Sequence, residues 1–270
     1  MTDQSPSDFF ALHVPGDPFV LPNAWDVASA LALAEAGFPA VGTTSLGVAA
    51  SAGLPDELAL TRRNNLDLLS RISDFDAAPM LSCDMENGYS QDPAAVVAAV
   101  DELVEVMEVT SPIRGINLED SAHGEVTDPG IHAAKIRAVK DRHPELFVNA
   151  RTDIFWTGVN DLAEALDRID RYAVAGADGI FVPGNLDRGT IATITERTSL
   201  PVNVLAIPGS TKSELAEVGV ARISTGSLLY RTALTAAVNA ACGFADPDAR
   251  PRSTYSYPEI CDMVAESPGR

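Results

Sequence analysis

Short apolar runs alternate with longer amphipathic segments from Phe19 to Ser224, and that alternation predicts the architecture. Strands are predicted at Phe19–Leu21, Ala40–Thr43, Pro79–Cys83, Gly115–Leu118, Phe147–Ala150, Gly179–Val182, Val202–Val204 and Arg222–Ser224. Between them, apolar positions recur at helical spacing. Helices are predicted over Asp26–Ala36, closed by Gly37, and over Ala94–Val106, entered through Asp92 and Pro93. Others span Gly130–Asp141, Asp161–Ala175, Asp187–Glu196, Ser210–Glu217 and Ser227–Ala241. Eight strands, each followed by a helix or helical stretch and with no large linker, predict one (β/α)8 TIM barrel over residues 1–270. The alternative is an open doubly wound sheet. Such sheets usually have fewer strands and an early glycine-rich phosphate loop, and no G-x-G-x-x-G or Walker-type loop occurs here. Residues 1–17 read as an exposed, partly ordered lead-in. Residues 243–270 read as an extended tail, rich in Pro, Asp and Arg, that ends in a short helix at Pro258–Ala265. So short a helix cannot hold itself together in water and must dock, which points to a homo-oligomer.

Composition narrows the function. A hydrophobic fraction of 46% supplies a sizeable core. The net charge of -19 argues against nucleic acid and against anionic membrane surfaces as partners. No charged-then-apolar leader opens the chain, and no apolar run approaches the ~18 residues of a membrane span. Three cysteines, Cys83, Cys242 and Cys261, fit neither a disulfide framework nor a zinc site, so a reduced, cytoplasmic setting is expected. In so acidic a chain, an anionic substrate needs local cations in its pocket.

Candidate chemistry collects where barrel chemistry collects, at the C-terminal ends of the strands. Asp84 and Glu86 stand at alternate positions after an apolar strand, so they are expected on one side of it. Two anions that close repel unless a proton or cation lies between them, and a hard divalent metal is the natural partner. Glu119 and Asp120 end the next strand, and Arg151 and Asp153 the one after. Asn23, Trp25 and Asp26 follow strand one, Thr43 to Ser45 end strand two, and Asn203 lies in strand seven. Plainer roles exist for several of these. A hydroxyl such as Thr43 can cap the next helix, Asp26 can cap the first, and Asp120 can bond within its own loop. Cys83 faces away from Asp84 by strand alternation and reads as core.

Several segments in order resemble the isocitrate lyase/phosphoenolpyruvate mutase superfamily: Leu21-Pro22-Asn23-Ala24-Trp25-Asp26, Thr43-Thr44-Ser45 through Gly53-Leu54-Pro55-Asp56, and Cys83-Asp84-Met85-Glu86-Asn87-Gly88-Tyr89. Leu118-Glu119-Asp120-Ser121 and Asn149-Ala150-Arg151-Thr152-Asp153 complete the set. The resemblance implies a (β/α)8 barrel with its last helix exchanged between subunits, a dimer of dimers, a Mg2+ ion (Mn2+ as substitute), and a small anionic 2-oxo acid substrate. It implies Asp84 as the direct metal ligand, with Glu86 and Glu119 acting through water and Asp56 nearby. It implies Arg151 as the clamp on the substrate carboxylate, with Thr44, Ser45 and Leu46 cradling the other end. Asn203 is a further candidate substrate contact.

The chain also departs from the pattern. The lyases for isocitrate and methylisocitrate carry a catalytic Cys in the loop after strand four. The phosphonate enzymes carry a Lys and an Asn there. Here that loop reads Ser121-Ala122-His123-Gly124-Glu125-Val126-Thr127, and strand six has Phe181 to Gly184 where the mutases have a His. His123 and Glu125 stand where a lid acid would stand; His123 is the candidate proton donor, and its plainer reading is a loop histidine. The expected activity is a Mg2+-dependent lyase that breaks a C–C bond in a small 2-oxo or 2-hydroxy di- or tricarboxylate through a metal-stabilised enolate, with oxaloacetate-type decarboxylation foremost. The alternatives are a phosphonopyruvate-type mutase or hydrolase and a non-catalytic 2-oxo acid binding protein.

Overall fold

The computed structural model describes residues 6–56, 60–75, 78–107 and 113–265. The strands are β1 (Phe19–Leu21), β2 (Asn23–Ala24), β3 (Ala40–Thr43), β4 (Met80–Asp84), β5 (Ile113–Glu119), β6 (Ser121–Ala122), β7 (Glu125–Val126), β8 (Phe147–Arg151), β9 (Gly179–Val182), β10 (Val202–Leu205) and β11 (Arg222–Ser224). The helices are α1 (Pro6–Ala11), α2 (Val27–Glu35), α3 (Ser45–Ser51), α4 (Arg62–Ser73), α5 (Pro93–Met107), α6 (Pro129–Arg142), α7 (Leu162–Val174), α8 (Arg188–Arg197), α9 (Lys212–Glu217), α10 (Leu228–Ala245) and α11 (Tyr257–Ala265).

One parallel sheet runs in the order β1-β11-β10-β9-β8-β5-β4-β3-β2. Its two ends are a single stretch of chain interrupted by Pro22, which has no N–H to give a neighbour. The stretch changes partner there: β1 pairs with β11 and β2 with β3. The sheet thus closes on itself as the expected TIM barrel. Asn23 seals the seam. Its Oδ1 accepts the N–H groups of Thr225 and Gly226 at 3.0 and 2.9 Å, and its Nδ2 donates to the Thr43 carbonyl at 2.7 Å.

Strand alternation sorts the core. Leu81, Cys83, Ile116, Leu118, Val148 and Ala150 pack outward under the helices. Inside the barrel, Leu21, Ala40, Met80 and Phe147 form a lower layer closed by Phe9 of α1. Gly115 makes room for that plug, since a Cβ there would lie 2.8 Å from the Phe9 ring. Hence the described part of the lead-in is not simply exposed: Phe9 is fully buried. Above this layer the interior turns polar, with Ser82, Asn117, Asn149, Asn203 and Arg222 all buried. Barrels usually fill these positions with Val, Ile and Leu.

Two helices escape the hydrophobic pattern. In α4 the buried face is Asn65, Leu68, Leu69, Ile72 and Ser73, so polar side chains hide part of the stripe. The seven residues of α3 are too few to show a period. Helix α10 runs on to Ala245 rather than stopping at Ala241, because nothing before Asp246-Pro247 breaks it. In this single chain α11 docks beside α3, with Ile260 buried in a cluster with Leu46, Tyr230 and Tyr255. Among the described residues no helix is long and apolar enough to cross a membrane.

Two buried histidines contribute to the acid stability. His13 stacks on Phe147 at 4.0 Å, and burial, helped by nearby Arg222, lowers its pKa to about 3. His132 meets Tyr172 edge-on at 4.7 Å, and burial lowers its pKa to about 4. Both values lie below the unfolded value of about 6.5, so their contribution is complete above that pH and shrinks as pH falls toward them. Each costs on the order of 1.4 kcal/mol per pH unit in that window. His132→Phe should therefore flatten the loss of denaturant midpoint between about pH 6.5 and 4.5. An unchanged slope in urea titrations would contradict this assignment.

Candidate active site

A cavity of about 710 Å³ opens at the C-terminal ends of the strands. Register explains its composition. Glu119 lies opposite Arg151 in the β5–β8 ladder, and Asp84 lies opposite Asn117 in the β4–β5 ladder. Arg151 Nη1 meets Glu119 Oε2 at 2.8 Å, and Arg151 Nε meets Asp153 Oδ1 at 2.6 Å. Burial pushes the Glu119 carboxyl well above the usual range; Arg151 opposes this, while Asp153, Asp84 and Glu86 add to it. Asp153 moves the same way, again chiefly through burial. Burial thus disfavours the ionised form of both carboxylates, a condition that a bound cation relieves.

Asp84 is 8% exposed and lines the cavity. Its backbone N–H donates to Thr43 Oγ1 at 2.9 Å, its carbonyl accepts Asn65 Nδ2 at 3.1 Å, and its Oδ2 accepts the Ser45 N–H at 3.3 Å. Its Oδ1 is buried and accepts no hydrogen bond from any described residue. Thr43 therefore orients the β4 end rather than capping α3. Thr44, Ser45 and Leu46 line the same cavity at the first turn of α3, as does Asp56.

Glu86 arrives differently from the sequence expectation. Strand β4 ends at Asp84, so alternation no longer applies two residues on. Glu86 takes a left-handed backbone with φ of +50°, and its Oε1 accepts Thr61 Oγ1 at 2.5 Å. It is buried beside the cavity, not among its lining residues. Non-glycine residues held in this conformation cluster at functional sites. Two side chains from helices anchor the turn: Asn65 Nδ2 donates to Tyr89 Oη at 3.0 Å, and Lys135 Nζ donates to the Asn87 carbonyl at 3.0 Å. Burial lowers the Lys135 ammonium to about 8 against the pull of Glu119 and Asp120.

Besides Glu86, two further candidate site residues, His123 and Asn203, lie outside the cavity lining. His123 sits exposed at the tip of the β6–β7 hairpin, where His123 and Gly124 have φ of +54° and +77°, as a two-residue type I′ turn requires. Asn203 is buried below the floor, where it exchanges hydrogen bonds with Ser224 at 3.1 and 3.2 Å. Asp120 holds its own loop through its carbonyl, which accepts the Thr127 N–H at 2.7 Å. Its carboxylate accepts Tyr172 at 2.6 Å and Arg168 at 2.9 Å, which makes it an anchor for α7. Asp26 caps α2 through the Ser29 N–H at 2.7 Å.

Sequence reasoning missed two arginines. Arg231 of α10 lines the cavity and donates to the Tyr255 carbonyl at 2.6 Å. Arg222 lies fully buried in the barrel, bonded to Asn117 Oδ1 at 3.0 Å and Ser224 Oγ at 3.3 Å, and burial lowers it to about 9. Neither stands in a motif. The one signal in the sequence is that Arg222 opens a strand where an apolar residue is usual. Cys83 is buried core, as alternation predicted, and burial pushes its thiol up.

Comparison with known proteins places this geometry. The model of the phosphoenolpyruvate phosphomutase family matches residues 9–245. The chain belongs to that family. An uncharacterized protein of Mycobacterium tuberculosis is 45% identical over 253 residues, covering 93% of this chain and 94% of that one. An oxaloacetate decarboxylase of Pseudomonas savastanoi pv. phaseolicola is 28% identical over 245 residues, covering 84% and 80%. A crystal structure of a Burkholderia cenocepacia J2315 protein, assigned only by likeness as a phosphonomutase, is 36% identical with a TM-score of 0.81. It covers 89% of this chain, and all of that chain is matched. The phosphoenolpyruvate mutase relatives are lyases and mutases of the isocitrate lyase superfamily.

Proposed function

We propose that this protein is a Mg2+-dependent carbon–carbon lyase acting on a small 2-oxo or 2-hydroxy di- or tricarboxylate, with oxaloacetate-type decarboxylation as its reaction. One observation carries the reading. The buried, unpartnered Oδ1 of Asp84 borders the same cavity as Arg151 and Arg231. Among the described residues no three His, Cys, Asp or Glu side chains form a direct metal cage. Mg2+ keeps several waters and uses few carboxylates. Asp84 would hold the ion directly, with Glu86 and Glu119 acting through water. When bound, the ion supplies positive charge beside the 2-oxo group.

The protein's own residues do the rest. Arg151 presents a planar fork to the substrate's 1-carboxylate. Two of its nitrogens are shared with Glu119 and Asp153, which hold the guanidinium in place. Arg231 supplies a second cation for a distal carboxylate. Phe155, Phe181, Leu205 and Ile207 give the cavity an apolar wall that excludes water. Decarboxylation asks least of the loop that lacks Cys and Lys, because CO2 leaves without a general acid. The remaining proton comes from water, or from His123 if the hairpin closes. The similarity to an oxaloacetate decarboxylase supports this choice.

The test is pyruvate formation from oxaloacetate above the rate given by Mg2+ alone, abolished by EDTA. New ³¹P signals from phosphonopyruvate would favour the mutase or hydrolase reading instead. Oxalate binding without turnover of any 2-oxo acid would favour a binding protein.

We also infer a homo-oligomer, a dimer of dimers. Residues 232–245 of α10 carry no charge, and Phe244 is 95% exposed. An uncharged helix face in so acidic a chain suits a second copy. Val238→Glu with Phe244→Glu should lower the mass seen by light scattering. Full mass in the double variant would contradict this assembly.

A further inference from the structure

We propose that Tyr257, the first residue of α11, is a positioning residue that completes the substrate site by fixing the Asp56 carboxylate. The proposal rests on the functional reading of the cavity given above.

The tail that carries Tyr257 is built, not draped. Asn239 Nδ2 donates to the Arg252 carbonyl at 3.0 Å, and the Arg252 N–H returns to Asn239 Oδ1 at 2.9 Å. The Tyr255 N–H donates to Thr235 Oγ1 at 3.0 Å, and Arg231 holds the Tyr255 carbonyl. Ser256 and Glu259 then close a reciprocal cap: the Ser256 N–H and hydroxyl donate to Glu259 Oε2 at 2.7 and 2.8 Å. Burial of Ile260, 2% exposed, seats the helix.

These ties bring one polar group to the cavity mouth. Tyr257 Oη donates to Asp56 Oδ2 at 2.7 Å, and Ser45 Oγ reaches the same oxygen at 3.5 Å. The Tyr257 ring stands edge-on to Trp156 at 5.1 Å, and the Arg151 guanidinium lies 5.9 Å from the Trp156 ring. Tyr257, Asp56, Ser45, Trp156 and Arg151 all line the cavity. The phenol thus joins the C-terminal helix to both the α3 turn and the wall beside the arginine. A carboxylate that is held accepts a ligand's water or hydroxyl at lower ordering cost than a free one. Arg231 adds a second link, since it binds the tail backbone and borders the cavity at once.

Coupling of this kind is reciprocal. If α11 docking favours ligand, ligand must favour α11 docking. Tyr257→Phe removes the hydroxyl and keeps the ring on Trp156, so the fold should hold. With Mg2+ present, the oxalate dissociation constant should rise about tenfold, as for loss of one hydrogen bond to a charged group. KM for the 2-oxo acid should rise similarly, with kcat within about threefold. In the wild-type protein, oxalate should slow hydrogen exchange of the α11 amides, and in Tyr257→Phe that protection should vanish. Unchanged oxalate affinity and unchanged α11 protection in Tyr257→Phe would overturn this proposal alone. Failure of the wild-type protein to bind oxalate would defeat the functional reading and this proposal together.

Discussion

Arg151→Lys should lower kcat/KM by a factor between about 30 and several thousand, equivalent to the roughly 2–5 kcal/mol lost when a buried charge pair is broken. Arg151 sits between Glu119 and Asp153, and burial would disfavour its charge were those carboxylates not beside it. A lysine ammonium can neutralise one of them but cannot present a planar fork to a carboxylate while holding both. The loss should fall mainly on KM for a 2-oxo acid and should appear equally in oxalate binding. Arg151→Ala should do worse, because it leaves two buried carboxylates without their cation. Full activity in Arg151→Lys would mean that Arg151 is only a point charge in a structural network.

Asp84→Asn should abolish Mg2+ stimulation while leaving the melting temperature of the metal-free protein nearly unchanged. The contacts that fix position 84 are mostly backbone: its N–H on Thr43 and its carbonyl on Asn65. The amide oxygen of asparagine can still accept the Ser45 N–H. What disappears is the charge and one buried acceptor oxygen facing the cavity. The loss of Mg2+ affinity should exceed the roughly 10–100-fold that removal of an outer-shell partner costs. Glu119→Gln should weaken Mg2+ less. It should also raise the melting temperature of the metal-free protein at neutral pH, because it removes a carboxylate whose ionisation burial opposes. Calorimetric Mg2+ titrations that show equal affinity for Asp84→Asn and wild-type protein would remove Asp84 from the metal site.

Much of this site is legible along the strands. Period-two alternation puts Cys83 outward and Asp84 inward, and parallel register puts Glu119 beside Arg151. The first follows from local spacing, and the second from both residues ending neighbouring strands. Glu86 shows where such spacing stops working: the strand ends two residues earlier, and a left-handed residue rather than alternation carries the carboxylate to its place. The side chains that came from helices and their caps were not legible. Thr61, Asn65, Lys135, Arg231 and Tyr257 reach the site only after helices pack on the barrel. Nothing in their immediate sequence records which strand end they will face. Lys135 left a faint trace as one of three lysines in the chain. His123 shows the opposite case, a residue whose type suits an acid but whose hairpin holds it in solvent.

In the proposed function, Asp84 and Arg151 together hold a metal and a 2-oxo acid in one cavity. A crystal grown with Mg2+ and oxalate tests it most directly. The expected result is an ion on Asp84 Oδ1, with water between it and Glu86 or Glu119, and oxalate in contact with that ion and the Arg151 guanidinium. Oxalate bound elsewhere, or bound in the cavity with no ion at Asp84, would contradict it.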